Sequence, residues 1–225
     1  MAAHPQAYVP RVRRALLLAV PAVPLLGWAL HAMALRRRLA SASRDPLTGL
    51  LRRDGYTAKA QQILDRYDND TLTLICDLDH FKEINDRLGH PAGDAVPAAT
   101  AQRLATWAGS TAAVGRLGGD EFALTTRLGS GLQHACLARL MSSLTQPVLL
   151  DDGQVVNVEA SVGAATPDAI GTTNLSRLLR AADAALYDGK HTGRATLAGA
   201  RHGVNAPVNG RRAGRPGTRD PAQAS

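Results

Sequence analysis

The chain is poor in cysteine, with only Cys76 and Cys136 among 225 residues. That scarcity excludes a disulfide framework and fits a reducing compartment. Neither cysteine stands at ligand spacing from a partner, and His80 and His90 join no such pattern, so a structural zinc site is excluded as well. No internal repeat is present. Acid is missing from residues 1–44, which carry seven arginines, and nearly so from residues 201–225, which carry five arginines and one aspartate. The segment between holds 18 acids against 14 lysines and arginines. The net charge of +7 and pI near 10.1 therefore belong to the two ends, and a mildly acidic middle argues against nucleic-acid binding. From Gly199 the chain is rich in Gly, Pro, Arg and Ala and lacks an apolar period, so 199–225 is expected to be a solvated, disordered tail.

A charge-free run from Ala15 to Leu35 lies between Arg11, Arg13 and Arg14 on one side and Arg36 to Arg38 on the other. Its length suits a single membrane crossing, with 1–14 as a basic N-terminus and 36–44 as a short basic linker. Pro21, Pro24 and His31 also allow a helix lying on the membrane surface. The nearly equal charge of the two flanks leaves orientation open.

Two acidic clusters dominate the rest. Thr71 to Leu78 is an aliphatic and β-branched run, predicted to be a buried strand, and it ends in Asp77-Leu78-Asp79. An aspartate closing a buried strand is costly unless its charge is compensated. The second cluster is Asp120-Glu121, following Gly118-Gly119 between the short apolar segments Val114 to Leu117 and Phe122 to Thr126. This pattern predicts a two-residue turn with both glycines at positive φ, carrying adjacent carboxylates at its apex. Such a pair suits a cation or a phosphate-bearing ligand; alone, it equally suits a solvated turn.

Periodicity predicts a helix over 55–67, the strand 71–78, helices over 79–88 and 94–108, a hairpin over 113–127 and a helix over 131–145. Strands near 147–150 and 154–166, a helix over 174–188 and a last strand over 195–198 follow. Alternating strands and helices around a central hairpin predict an α/β sandwich. Asp94 is placed to cap the 94–108 helix, which puts Pro97 in its first turn. Phe81 and Phe122 are expected in the core.

Five blocks then match one family. They are Asp45-Pro46-Leu47-Thr48-Gly49-Leu50; Asp77-Leu78-Asp79-His80-Phe81-Lys82 with Asn85-Asp86 and Gly89-His90; Gly93-Asp94; Gly118-Gly119-Asp120-Glu121-Phe122; and Ala182 to Tyr187 with Lys190 and Gly193-Arg194. In this order and spacing the chain resembles the GGDEF domain of diguanylate cyclases, over residues 45–198. The resemblance implies a mainly antiparallel five-stranded sheet flanked by helices, related to nucleotide cyclase and polymerase palm folds. It also implies condensation of two GTP into cyclic di-GMP and two pyrophosphates by two-metal phosphoryl transfer across a homodimer.

By the same resemblance Asp77, Asp120 and the Leu78 carbonyl hold two Mg2+, or Mn2+, and oxygen ligands are what such cations prefer. Asp120 is implied as the base, Glu121 as a support of metals or turn, and Lys82, Lys190 and Arg194 as phosphate contacts. Asn85 and Asp94 are implied to recognise guanine, with His90 on the same rim. Bland readings stand beside these: a helix cap for Asp94, and helix-dipole complements for Lys190 and Arg194. Since GTP is cytosolic, the catalytic domain is expected on the cytoplasmic side of the inner membrane; a cleaved signal peptide would separate it from substrate.

Two departures from the family matter. The inhibitory Arg-x-x-Asp of many such cyclases is replaced by Gly109-Ser110-Thr111-Ala112, so no product inhibition through that site is expected. No sensory domain is expected before Asp45, which would leave the membrane segment as the device that brings two copies together. A catalytically silent GTP-binding regulatory module is the alternative function, and a purely structural membrane-linked protein a third.

Overall fold

The computed structural model describes Trp28, His31, Met33 and residues 43–129, 131–190 and 192–204. Apart from Trp28, His31 and Met33, the expected membrane segment 15–35 lies outside the described residues, as does most of the expected tail. Among the described residues no helix is long and apolar enough to cross a membrane. Residues from Asp45 onward form a compact unit of their own.

The elements are α1 (Arg53–Tyr67), β1 (Thr71–Leu78), α2 (Phe81–Ala108), β2 (Ala113–Arg116), β3 (Glu121–Arg127) and α3 (Gln133–Leu144). They continue with β4 (Val148–Leu149), β5 (Val155–Val156), β6 (Ala160–Ala165), α4 (Pro167–Ile170), α5 (Leu175–Gly189), β7 (Thr196–Leu197) and α6 (Ala200–Val204). Five strands form one sheet in the order β2-β3-β1-β6-β7, and β4 and β5 make a separate hairpin. All pairs in the large sheet are antiparallel except β6 with β7. The fold is thus the α/β sandwich expected, with a five-stranded, mainly antiparallel sheet between helical layers.

β1 sits at the centre because both of its faces are buried along all eight residues. Leu72, Leu74, Cys76 and Leu78 point into one core with Val96, Leu104, Phe122 and Leu140. Ile75 packs in the other with Tyr56, Leu64, Leu178 and Leu186. Strand side chains alternate faces, so Asp77, two residues after Ile75, belongs to the α1 and α5 side. On that side Tyr56 fixes α1 to the sheet through a buried hydroxyl chain, 2.9 Å to Thr125 Oγ1 and 3.1 Å on to Thr73 Oγ1. Gly163 of β6 lets α5 lie directly on the sheet, because a Cβ there would overlap the Ala182 carbonyl and the Leu186 amide.

Several expectations are corrected in detail. The helices predicted over 79–88 and 94–108 are the two halves of α2, separated at Gly89, whose φ of 75° and ψ of −170° are non-helical, and the second starts earlier than expected. The second half therefore begins directly after Gly89, so Asp94 lies inside the helix and caps nothing. Pro91 takes the early position that suits a proline, whereas Pro97 lies buried in the interior, where its missing N–H leaves the Gly93 carbonyl without its helical donor. The strand predicted over 154–166 is two strands, β5 and β6, in different sheets. Val156, Val158, Ala160, Val162 and Ala164 nonetheless all face one core, as their alternation implied. Finally, the fold runs past Ala198 into α6, where His202 is buried against Asp188 of α5 at 3.1 Å; the ordered unit thus takes in the start of the expected tail.

Candidate functional site

The chemistry gathers where β1 ends beside the β2–β3 turn. Antiparallel pairing puts Asp77 opposite Glu121 on one side and Ser161 on the other. Beyond the strand, the Leu78 amide donates to the Asp120 carbonyl at 3.1 Å. The two acidic clusters are thereby brought side by side by backbone hydrogen bonds alone.

The turn is built differently from expectation. The Leu117 amide donates to the Glu121 carbonyl at 2.8 Å, so Gly118, Gly119 and Asp120 form the loop. Neither Gly118 nor Gly119 is among the positive-φ glycines, which corrects the two-residue turn at positive φ. What these glycines supply is open space. A Cβ on Gly119 would meet nothing within 4 Å, and one on Gly118 would make only ordinary contact with Glu121. Their side-chain-free surface leaves backbone open to close approach by a ligand. Arg116 holds the loop in place, donating from Nε and Nη2 to the Gly119 carbonyl at 3.2 and 2.7 Å. Its Nη1 reaches Asp45 Oδ1 at 3.1 Å. Asp45 also accepts from the Thr48 amide and hydroxyl at 2.9 and 2.7 Å. Burial pushes the Asp45 carboxyl up, but these bonds and the Arg116 charge outweigh it and hold the group below its usual 3.8.

Lys190, just past the end of α5, extends over Asp77. Its Nζ lies 3.2 Å from Asp77 Oδ1 and 3.7 Å from Asp79 Oδ1. Both carboxylates are nearly inaccessible, with side chains 4 % and 5 % exposed. Ser161 Oγ donates to Asp79 Oδ2 at 2.8 Å. Asp79 Oδ1, also buried, has no hydrogen-bond partner among the described residues. Burial above all, with the charges of Asp77 and Asp79 adding to it, pushes the neighbouring Cys76 thiol far up, so this cysteine is inert. Ser161 is not among the sequence candidates, and Asp79, though part of the acidic cluster, carries no role there. The signal was present, since Asp79 continues the two-residue period of β1 onto the face that carries Asp77.

The remaining candidates form an exposed rim along α2. Lys82, His90 and Asp94 are exposed and Asn85 is half-buried. The Gly89 break brings Asn85 against Gly93, so closely that a Cβ on Gly93 would overlap Asn85 Oδ1. Asn85 is thus brought against the residue that precedes Asp94. His80, at the start of α2 with φ of 56°, pairs with Glu83 at 3.1 Å, which raises its pKa, and it takes no part in the site. Arg194 is exposed in the loop after α5, its amide bonded to Thr192 Oγ1 at 3.3 Å, and no described contact joins it to the carboxylates.

The residue types suit a divalent cation that keeps several non-protein ligands. Asp77, Asp120 and the Leu78 carbonyl are hard oxygen donors. Among the described residues no three His, Cys, Asp or Glu side chains group tightly enough to hold a metal alone. A site of few carboxylates completed by water and substrate phosphate is the arrangement Mg2+ favours.

Residues 42–196 match the family described as diguanylate cyclase, GGDEF domain. The chain belongs to the GGDEF family. A Streptomyces ambofaciens protein described as an uncharacterized 19.3 kDa protein is 48 % identical over 168 residues, covering 75 % of this chain and 89 % of its own length. The diguanylate cyclase TpbB of Pseudomonas aeruginosa is 37 % identical over 159 residues, 68 % of this chain but only 36 % of TpbB. Among solved structures, the GGDEF domain of TpbB superposes with a TM-score of 0.63 at 34 % identity, covering 71 % of this chain and 96 % of that domain. The coiled-coil and GGDEF region of DgcB from Caulobacter crescentus, in complex with c-di-GMP, reaches 0.68 at 25 % identity, covering 81 % of this chain and 99 % of that one. Relatives of this GGDEF domain also include a protein named as a cyclic di-GMP phosphodiesterase, at 33 % identity over 21 % of its length.

Proposed function

We propose that the domain is a diguanylate cyclase. In this reading each of two facing copies holds one GTP. The 3′-oxygen of each GTP forms a bond to the α-phosphorus of the other, and pyrophosphate leaves from each. The proton of each attacking hydroxyl passes to Asp120. The observation that carries the reading is the backbone bond between Leu78 and Asp120, which sets the Asp77 end of β1 beside the hairpin acid.

Asp77, Asp120 and the Leu78 carbonyl are the groups that would hold divalent cations, Mg2+ being the expected ion. When bound, such ions neutralise triphosphate charge and orient the attacking and leaving oxygens. Glu121, opposite Asp77, supports that arrangement. The open backbone of Gly118 and Gly119 receives the phosphates, with Lys82, Lys190 and Arg194 supplying positive charge. Asn85 and Asp94 read the guanine edge: the carboxylate accepts from guanine N1 and N2, a donor pair that adenine lacks. His90 lies on that rim.

Two further proposals complete the reading. Residues 15–35 anchor the chain in the cytoplasmic membrane and, by confining two copies, raise the frequency with which active sites meet. Product inhibition through an Arg-x-x-Asp site is absent: Gly109 stands where the arginine would be, at a φ of 75° that an arginine adopts only with strain, and Ala112 is buried in place of the acid.

The test is to incubate the full chain in nanodiscs with GTP and Mg2+ and separate products by chromatography, beside Asp120→Ala. Cyclic di-GMP that disappears in the variant is the expected outcome. GTP binding without product would replace the cyclase reading by that of a silent regulatory module.

A further inference from the structure

Among the described residues, the buried carboxylates of Asp77 and Asp79 share one ammonium, that of Lys190. Ser161 satisfies Asp79 Oδ2, which leaves Oδ1 buried, unbonded and 3.7 Å from Lys190 Nζ. The ammonium instead donates to Asp77 Oδ1 at 3.2 Å. It has three donors, and its side chain is 33 % exposed, so the tip has room to shift. The backbone beneath it does not: Gly189 abuts Thr196, where any Cβ would overlap Oγ1. Burial of two negative charges is costly unless both are compensated. In this arrangement Lys190 Nζ is at hydrogen-bond distance from Asp77 alone of the two acids.

We propose that Asp79 is the second anchor of Lys190, and that Lys190 and a divalent cation exchange places on Asp77. Without the cation, Lys190 neutralises Asp77 and Asp79 Oδ1 goes unbonded. When the cation takes Asp77, Lys190 moves onto Asp79 Oδ1, each carboxylate gains its own counter-charge, and the lysine stays beside the phosphate site. Asp79 is thus a positioning residue, acting through Lys190. The inference rests on the assignment of Asp77 as a cation ligand.

Mn2+ binding to the nucleotide-free full-length chain, followed by electron paramagnetic resonance, tests it without reference to turnover. Lys190→Met removes the competitor and is expected to tighten Mn2+ binding about tenfold, with Lys190→Gln shifting it the same way. Asp79→Asn strands the lysine on Asp77 and is expected to weaken binding about fivefold while Lys190 is present. In the Lys190→Met background the same change is expected to have less than about a twofold effect. Thermal melts identify any variant that fails to fold, and the lysine variants alone then decide. Equal weakening by Asp79→Asn in both backgrounds would reduce Asp79 to a diffuse charge and overturn the proposal. Unchanged affinity in both lysine variants would overturn it while leaving the cation site intact. No Mn2+ binding by any variant, with or without GTP, would overturn the cation assignment and the proposal together.

Discussion

The two halves of the candidate site are built in opposite ways. At the acidic end, Asp77 and Asp79 are buried; Asp77 is held by sheet pairing and bonded to Lys190, and Asp79 accepts from Ser161. On the rim, Lys82, His90 and Asp94 stand exposed on a helix broken at Gly89. The difference follows from the chemistry proposed for each. Catalytic groups must be fixed before the charge they stabilise develops, and burial in a central strand fixes them at the cost of desolvated acids. A base-reading rim must admit and release a nucleotide, so it is left open to water. Where the rim is constrained, it is by a missing side chain: Gly93 leaves the space that Asn85 fills.

The comparison breaks most completely at the hairpin acid. Asp120→Ala is expected to lower cyclic di-GMP formation by about a thousandfold or more, read as initial rates by chromatography. A change beneath the acidic end should act on folding. Gly163→Ala would drive a methyl group into the α5 backbone, so a loss of about 3 kcal/mol is expected in a denaturant titration, with Lys190 displaced as α5 shifts. The matching change on the rim, Gly93→Ala, is expected to leave stability nearly intact. By pushing the Asn85 amide aside, it should raise the KM for GTP about tenfold while kcat changes little.

The smallest effect concerns the tie between Asp45 and Arg116. The Asp45 carboxyl titrates below 3.8, so its contribution to stability is present above that pH and lost as pH falls through the lowered value. Melts of the wild type and Asp45→Asn should differ by a constant amount near neutrality and converge only below about pH 4.

The acidic end was the more legible half. Thr71 to Leu78 reads as a strand because an eight-residue aliphatic run bounded by polar residues suits a strand buried on both faces, and that is how it sits. The alternation of strands and helices followed from the same periodicities, whereas the five-stranded sheet was what the family resemblance implied. What escaped was local geometry that depends on neighbours far along the chain. Asp94 looks like a cap because it precedes an apolar period, yet Gly89 had already started that half of the helix. Gly118-Gly119 looks like a positive-φ turn, but Arg116 fixes the loop by its hold on the Gly119 carbonyl, and no left-handed residue is needed. The hold of Lys190 on two acids more than a hundred residues earlier depends on α5 crossing β6 at Gly163, which no local pattern announces.

The most direct measurement compares GTP and ATP binding by calorimetry, in the presence of Mg2+, for the wild type, Asp120→Ala and Asp94→Ala, with product formation followed in parallel. If the acidic end performs the chemistry and the rim reads the base, Asp120→Ala abolishes product yet keeps the preference for GTP, and Asp94→Ala loses the preference. Loss of the preference in Asp120→Ala, or its persistence in Asp94→Ala, would contradict this division of labour.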